Sequence, residues 1–229
     1  MTTWRVLTWN ILGARQPNLD IIVEVIAGYA PDVVALQEVQ RRQARRLAHR
    51  VGWKVVWTRK HYPYTPLVWW RAEGLAIMTP HVVSDLISIS ISPGVSTWTY
   101  QHRVAMAATV TRSGAEALRV VNTHLASHDA DQRIAQARRV VALIGDHRPA
   151  VVAGDLNAMG EVEVIREFGA VGLVDPGGDC SNPSIAPVQR LDYVLVPESA
   201  TVTSRLTPDG GERWDELSDH LPVLVELST

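Results

Sequence analysis

Apolar positions change period several times along the chain, and each change marks an expected element. Trp4–Trp9 reads as a strand, and Leu19–Ala30 as a helix with Asn18 as its N-cap and Pro31 as its stop. Val33–Gln37 is a short apolar strand, and Gln40–Val51 is a basic amphipathic helix. Runs rich in Val and Ile predict further strands at Trp53–Trp57, Leu75–Met78, Val82–Ile91, Val104–Thr111 and Leu118–Thr123. Ile134, Ala137, Val141 and Ile144 then recur at helical spacing within a helix over Asp129–Asp146. The alternation resumes with a strand at Ala150–Ala153, a helix at Val162–Phe168, and strands at Leu191–Val196, Thr201–Leu206 and Leu221–Glu226. Thr58–Ala72, Ser92–His102, Gly177–Val188 and Thr207–Ser218 carry no clear period. Mixed strands with interspersed helices suggest two sheets packed face to face and flanked by helices. No linker, repeat or low-complexity segment divides the chain, so one domain over residues 1–229 is expected.

Composition narrows this picture only modestly. Hydrophobic residues make up 46% and charged residues 20%, the balance of a water-soluble globular chain. A net charge of -2 provides no global basic field of the kind that coats nucleic acid. Cys180 is the sole cysteine, which excludes an intrachain disulfide and a cysteine metal cluster. MTTWR runs straight into a strand with no charged and apolar leader, and no apolar run is long enough to span a bilayer. A cytoplasmic monomer without an obligate protein partner is the expectation.

Candidate chemistry gathers where strands end. Asn10 closes the first strand, Glu38 the second and His124 a later one; Asp155 and Asn157 follow another, and Asp219 and His220 precede the last. Asp192 lies just inside the strand RLDYVLV. Each has an ordinary structural reading: a turn-forming Asn or Asp, a solvated Glu, a partly buried His. A carboxylate inside an apolar strand, such as Asp192, needs a partner to offset its desolvation. All these readings would have to coincide at strand ends, where a rigid sheet can hold side chains in a cleft. Carboxylates and carboxamides without cysteine suit a hard cation such as magnesium, and nearby histidines can exchange protons with phosphate oxygens.

The segments TWNILG, ALQEV, VVNTHL, VVAGDLNA, RLDYVLV and LSDHLP, in this order, resemble the endonuclease/exonuclease/phosphatase superfamily with its DNase I-like fold. The resemblance implies a four-layer α/β sandwich with a divalent-metal-dependent phosphoesterase site, holding magnesium or alternatively manganese. Its implied metal residues are Glu38, assisted by Asn10, and Asp219. Asp155 and Asn157 match the pair that orients or deprotonates water and holds the phosphate. His220 matches the catalytic histidine oriented by Asp192, and His124 matches the histidine that contacts the phosphate and can act as acid. Whether Asp155 or His220 takes the proton stays open, because such coupled groups titrate together.

The departures from the family pattern bear on substrate. Leu12 stands where abasic-site endonucleases of the superfamily carry aspartate, and His124 where they carry tyrosine, so abasic-site repair is disfavoured. EGLAIMTP resembles another family strand, with Leu75 where many members have asparagine. A phosphodiesterase is expected, with a DNA or RNA nuclease as the alternative and a non-catalytic binding protein as a remote one. Arg103 and Arg190 lie near strand starts and can either clamp a phosphate or pair with structural carboxylates. Tyr62, Tyr64, Trp69 and Trp70 can form a stacking or interfacial platform, or the tryptophans can fill the core. The same two readings apply to Trp98 and Tyr100. The arginines of QRRQARRLAHR can be a solvated face or can contact phosphates.

Overall fold

Helices form where the sequence supplies both an apolar face and a cap. In α1 (Leu19–Tyr29) the Asn18 side chain accepts from the Asp20 N–H, and the chain leaves the helix through a left-handed Ala30 before Pro31. Gln40 and Gln43 form a capping box at the start of α2 (Arg41–Val51), which ends at a left-handed Gly52. Asp129 caps α3 (Ala130–Ile144) by accepting from the Gln132 N–H. Two shorter helices follow, α4 (Val162–Gly169) and α5 (Glu212–Asp215). The computed structural model describes residues 2–63, 66–147 and 149–229.

The strands are β1 (Thr3–Asn10), β2 (Val33–Gln40), β3 (Lys54–His61), β4 (Glu73–Thr79), β5 (Val82–Ser90) and β6 (Val104–Thr111). They continue with β7 (Leu118–His124), β8 (Ala150–Asp155), β9 (Leu173–Val174), β10 (Asp192–Pro197), β11 (Thr201–Leu206) and β12 (Val223–Ser228). Two six-stranded sheets result, in the orders β11-β12-β1-β2-β4-β3 and β5-β6-β7-β8-β10-β9. Both are mixed: β1 pairs parallel to β2 and β7 parallel to β8, and each has antiparallel neighbours.

Pleating sorts the apolar side chains into three layers of core. Trp4, Val6, Val33 and Ala35 from the first sheet meet Met106, Val120, Val151 and Val194 from the second. The reverse face of the first sheet carries Leu7, Leu36 and Met78 against Ile22, Ile26 and Leu47 of α1 and α2. On the far side, Ala107, Val121 and Val152 pack against Ala137, Val140 and Phe168 of α3 and α4. This is the expected four-layer sandwich, with helices outside and the two sheets face to face. No described helix is long and apolar enough to cross a membrane.

Several boundaries differ from the sequence expectation. β3 continues past Trp57 through Thr58–His61, because β4 supplies ladder partners that polar residues accept as well as apolar ones. β12 starts at Val223 rather than Leu221, since Pro222 has no N–H to give a ladder. β10 begins at Asp192, which therefore sits at a strand end like the other candidate residues. β9, α5 and the 3-10 turns Gly13–Arg15 and Pro66–Arg71 are too short to leave a period.

Between the sheets, under the ends of β1, β2 and β7, lies a buried polar junction. Asn122 Nδ2 donates to the carbonyls of Leu36 (3.0 Å) and Ala76 (2.8 Å), and its Oδ1 accepts from Gln37 Nε2 at 2.8 Å. The Gln37 amide also donates to Thr8 Oγ1 at 3.0 Å. These bonds tie a strand of one sheet to backbone of the other where apolar contacts alone would permit sliding. Stranding a buried polar group costs about 1–3 kcal/mol. Asn122→Ala, which takes one partner from the Gln37 amide and one from each of two carbonyls, is expected to lower stability by about 3 kcal/mol in urea unfolding, against under about 1 kcal/mol if water replaces the amide.

Candidate active site

Glu38 reaches the site because β2 miscounts. In regular pleating Val34, Leu36 and residue 38 would share the face that packs on α1 and α2. Instead the pairing with β4 slips between Leu36 and Val39, and Glu38 takes a left-handed φ of 53°. Val39 then fills the helix-side core, and Glu38 is released to the top edge of the sandwich. Gly13 packs directly over this bulge: a Cβ there would lie 2.5 Å from the Glu38 carbonyl oxygen, so only glycine fits.

In the second sheet, His124 and Asp155 are adjacent partners at the ends of parallel strands β7 and β8. Gly154 allows the two strands to approach there, since a Cβ would come within 2.0 Å of the Thr123 carbonyl oxygen. Asp155 Oδ2 lies 3.4 Å from His124 Nε2 and accepts from Asn10 Nδ2 at 3.1 Å, a bond that crosses between the sheets. Its Oδ1 accepts from the Asn157 N–H at 3.0 Å, and Asn157 Nδ2 donates to the Leu125 carbonyl at 3.1 Å. His220 Nδ1 lies 2.7 Å from Asp192 Oδ2, which also accepts from Ser181 Oγ at 2.6 Å. The Trp9 indole donates to the His220 carbonyl at 2.8 Å, and Ser218 Oγ donates to that of Asn10 at 2.6 Å.

A cavity of about 590 Å³ receives these groups together: Asn10, Glu38, His124, Asp155, Asn157, Asp219 and His220 all line it. Asp192 stands behind His220 rather than on the wall. Arg103 lines the cavity, but two of its donors are committed to the Leu125 and Tyr100 carbonyls. Arg190 takes the structural role: it pairs bidentately with Asp175 and covers the Tyr193 ring at 4.3 Å. Asp155, Asp192 and His220 bring one ligand atom each within 4.8 Å of one another, a buried group that could itself bind a metal. In this group Nδ1 of His220 and one Asp192 oxygen are already engaged with each other, which favours reading the two as a hydrogen-bonded pair.

The aromatic segment divides. Tyr62 stacks on Trp98 with centroids 4.4 Å apart, and Tyr64 lies outside the described residues. Trp69 and Trp70 do not fill the core: they are 62% and 41% exposed. Their 3-10 turn leads into β4 beside the edge strand β3. Trp98 and Tyr100 are likewise partly exposed.

Burial and charge set the proton affinities. Burial pushes the Asp155 carboxyl up to about 7; neighbouring Asp192 adds to this while His220 opposes it. Burial works against a charged His220, but Asp192 and Asp155 overcome it and hold the imidazolium up to about 10. Burial, with Lys60 and Arg103 close by, holds His124 well below the usual histidine range. For Glu38 burial acts upward, yet Lys60, Arg103 and His220 leave the carboxyl below its ordinary value.

Lys60 was not among the sequence candidates. It is buried, lines the cavity and donates to Glu38 Oε1 at 3.1 Å. The available signal was period two: continuing the pleat of Val56 beyond Trp57 places Lys60 on the inter-sheet side, where Val56 packs. His61 and Glu73, 3.5 Å apart, add a further pair on the same wall. Ser181 was hidden in an irregular loop that carries the isolated bridge Asn182–Gln189.

The Asp192–His220 pair has a clear pH signature. A histidine whose folded pKa is raised contributes stability that is complete below about 6.5 and is lost as pH rises through about 10. Asp155, a carboxyl raised from 3.8 to about 7, acts with the same sign between those values. In metal-free protein, Asp192→Asn is expected to move the His220 NMR titration midpoint from about 10 toward 6.5. Identical midpoints would show that the two side chains are not coupled.

The pattern "Endonuclease/Exonuclease/phosphatase family" matches residues 7–220. None of the curated proteins compared with the chain matches it. Solved structures that it resembles include the endonuclease/exonuclease/phosphatase from Bacteroides vulgatus, with TM-score 0.81, 21% identity, and 100% of this chain and 99% of that chain covered. The mannosyl-6-phosphatase of Bacteroides thetaiotaomicron aligns with TM-score 0.78 at 15% identity, over 99% of this chain and 100% of its own. The human Nocturnin catalytic domain, solved with a bound sulfate anion, gives TM-score 0.76 at 22% identity, over 99% and 93% of the two chains. The fold is shared with all of them, and the matched pattern spans nearly the whole chain. This protein belongs to the endonuclease/exonuclease/phosphatase family, whose members are divalent-metal-dependent phosphoester hydrolases.

Proposed function

We propose that this protein is a phosphodiesterase that uses magnesium, or manganese in its place, and cleaves its substrate by in-line attack of an activated water. The observation that carries this reading is the convergence of seven strand-end polar residues, from both sheets, on one cavity of about 590 Å³. The donor set fits a hard divalent cation: Glu38 and Asp219 carboxylates and the Asn10 carboxamide offer oxygen, and no cysteine competes. Glu38 already draws the Lys60 ammonium to 3.1 Å, so positive charge is favoured at that carboxylate. Magnesium, when bound, would neutralise charge on the phosphoryl and departing oxygens.

The chain's own groups divide the remaining work by their proton affinities. Asp155, with its carboxyl near 7, is poised to take a proton from the attacking water at neutral pH. His220, held protonated by Asp192, is a donor to a phosphoryl oxygen rather than a base. Asn157 is held by its bonds to Asp155 and Leu125 and presents its amide edge to the phosphate. His124, kept neutral, faces the same space and can donate a hydrogen bond from its ring N–H to a phosphate oxygen. Arg103 adds positive charge from a fixed position.

Bis(p-nitrophenyl) phosphate hydrolysis, titrated with magnesium, tests the assignment. Glu38→Gln keeps the side-chain shape but removes the charge, and is expected to cut turnover and magnesium affinity each by at least about 100-fold. Magnesium dependence unchanged in that variant would sink the reading.

A further inference from the structure

A second cavity, of about 200 Å³, lies beyond the catalytic one and mixes two kinds of side chain. Arg41, Arg42, Arg45 and Arg59 line it together with Trp57, Trp69 and Trp70, the last two with their rings set 79° apart. All four arginines are exposed and none forms an ion pair with an acid among the described residues, although the Arg59 guanidinium lies over the Tyr62 ring, 3.8 Å from its centroid. In a chain whose net charge is -2, such a local concentration of unpaired positive charge is not a by-product of composition. Like charges held together repel one another, and a polyanion relieves that repulsion.

The two cavities are lined from neighbouring positions in the chain. Gln40 lines the catalytic cavity and Arg41 this one; Lys60 lines the first and Arg59 the second; Arg71 lines the first and Trp70 the second. Three consecutive residue pairs, from the start of α2, the end of β3 and the turn before β4, thus divide between the sites. A chain extended from the catalytic cavity past these positions would meet cations and flat rings together. That combination matches a nucleotide unit, with its phosphate and its π-faced base. Duplex bases are stacked inward and cannot reach the indoles, whereas single-stranded bases can. A lipid surface is flat, while here the arginines and tryptophans line the same small hollow.

We propose that the Arg–Trp cleft is a binding site for single-stranded nucleic acid, taking phosphates and a base of the strand whose scissile bond lies in the catalytic cavity. The catalytic half of this statement rests on the phosphodiesterase reading; the binding half does not. Fluorescence polarisation with fluorescein-labelled oligothymidylate of twelve residues, in EDTA at several KCl concentrations, isolates binding from cleavage. The double variant Arg41→Ala/Arg45→Ala is expected to weaken binding about 10-fold or more and to flatten the log Kd against log salt slope by about 1.4. Trp69→Ala is expected to weaken it at least about 5-fold with little change in salt slope. Circular dichroism confirms that each exposed substitution leaves the fold intact. No binding, or binding that neither variant alters, would overturn the proposal. So would cosedimentation with phosphatidylcholine–phosphatidylserine vesicles that Trp69→Ala abolishes while oligonucleotide binding stays unchanged, which would assign the cleft to a lipid surface. Bis(p-nitrophenyl) phosphate turnover by the unaltered chain is read in parallel. Its absence would remove the phosphodiesterase reading and leave the binding result to stand on its own.

Discussion

Three carboxylates, Glu38, Asp155 and Asp192, converge where little water reaches them, and the rest of the site is arranged around that constraint. An isolated buried carboxylate would protonate rather than remain charged. Each acid here meets a different compensation. Lys60 and Arg103 hold Glu38 ionised, Asp192 is covered by Ser181 and His220, and Asp155 is left near neutrality between its two states. One fold thereby holds a permanent anion, a protonated histidine and a carboxyl ready to exchange a proton within a few ångströms.

The sandwich meets this demand by delivering equivalent positions from each sheet. Asn10 ends β1 beside β2, and His124 ends β7 beside β8; both pairs are parallel and joined through a helix. The strand next in order after each pair runs back from the same edge, and both of these strands open on an acid, Glu73 in β4 and Asp192 in β10. The recurrence of acids and amides at strand ends is therefore geometric. Parallel neighbours finish at a common edge, and the Gln37–Asn122 junction keeps the two edges aligned.

Much of this could be read from residues before any coordinates. Strand and helix order followed from period, because buried Val and Ile runs and the caps Asn18 and Asp129 are local signals. The motifs around Asn10, Asp155 and His220 carry their chemistry in a short stretch of chain, so their gathering in one cavity could be anticipated. Lys60 and Ser181 were missed because their roles come from distant partners: β4 extends β3 to the lysine, and Asp192 makes the serine matter. Whether Trp69 and Trp70 fill the core or form an exposed platform stayed open in the sequence for a related reason. Their side chains would suit either place, and their exposure follows from tertiary position beside the edge strand β3.

The bulge in β2 separates the direction of Glu38 from its identity. Its carboxylate faces the cavity because one strand has one more residue than its neighbour between Leu36 and Val39. Deleting a residue there would restore regular alternation and turn the 38th position toward the apolar layer over α1 and α2, whatever side chain it carried. The site thus depends on chain length at that point as much as on chemistry. Among relatives, an aligned glutamate preserves the function only when the spacing around it is preserved as well.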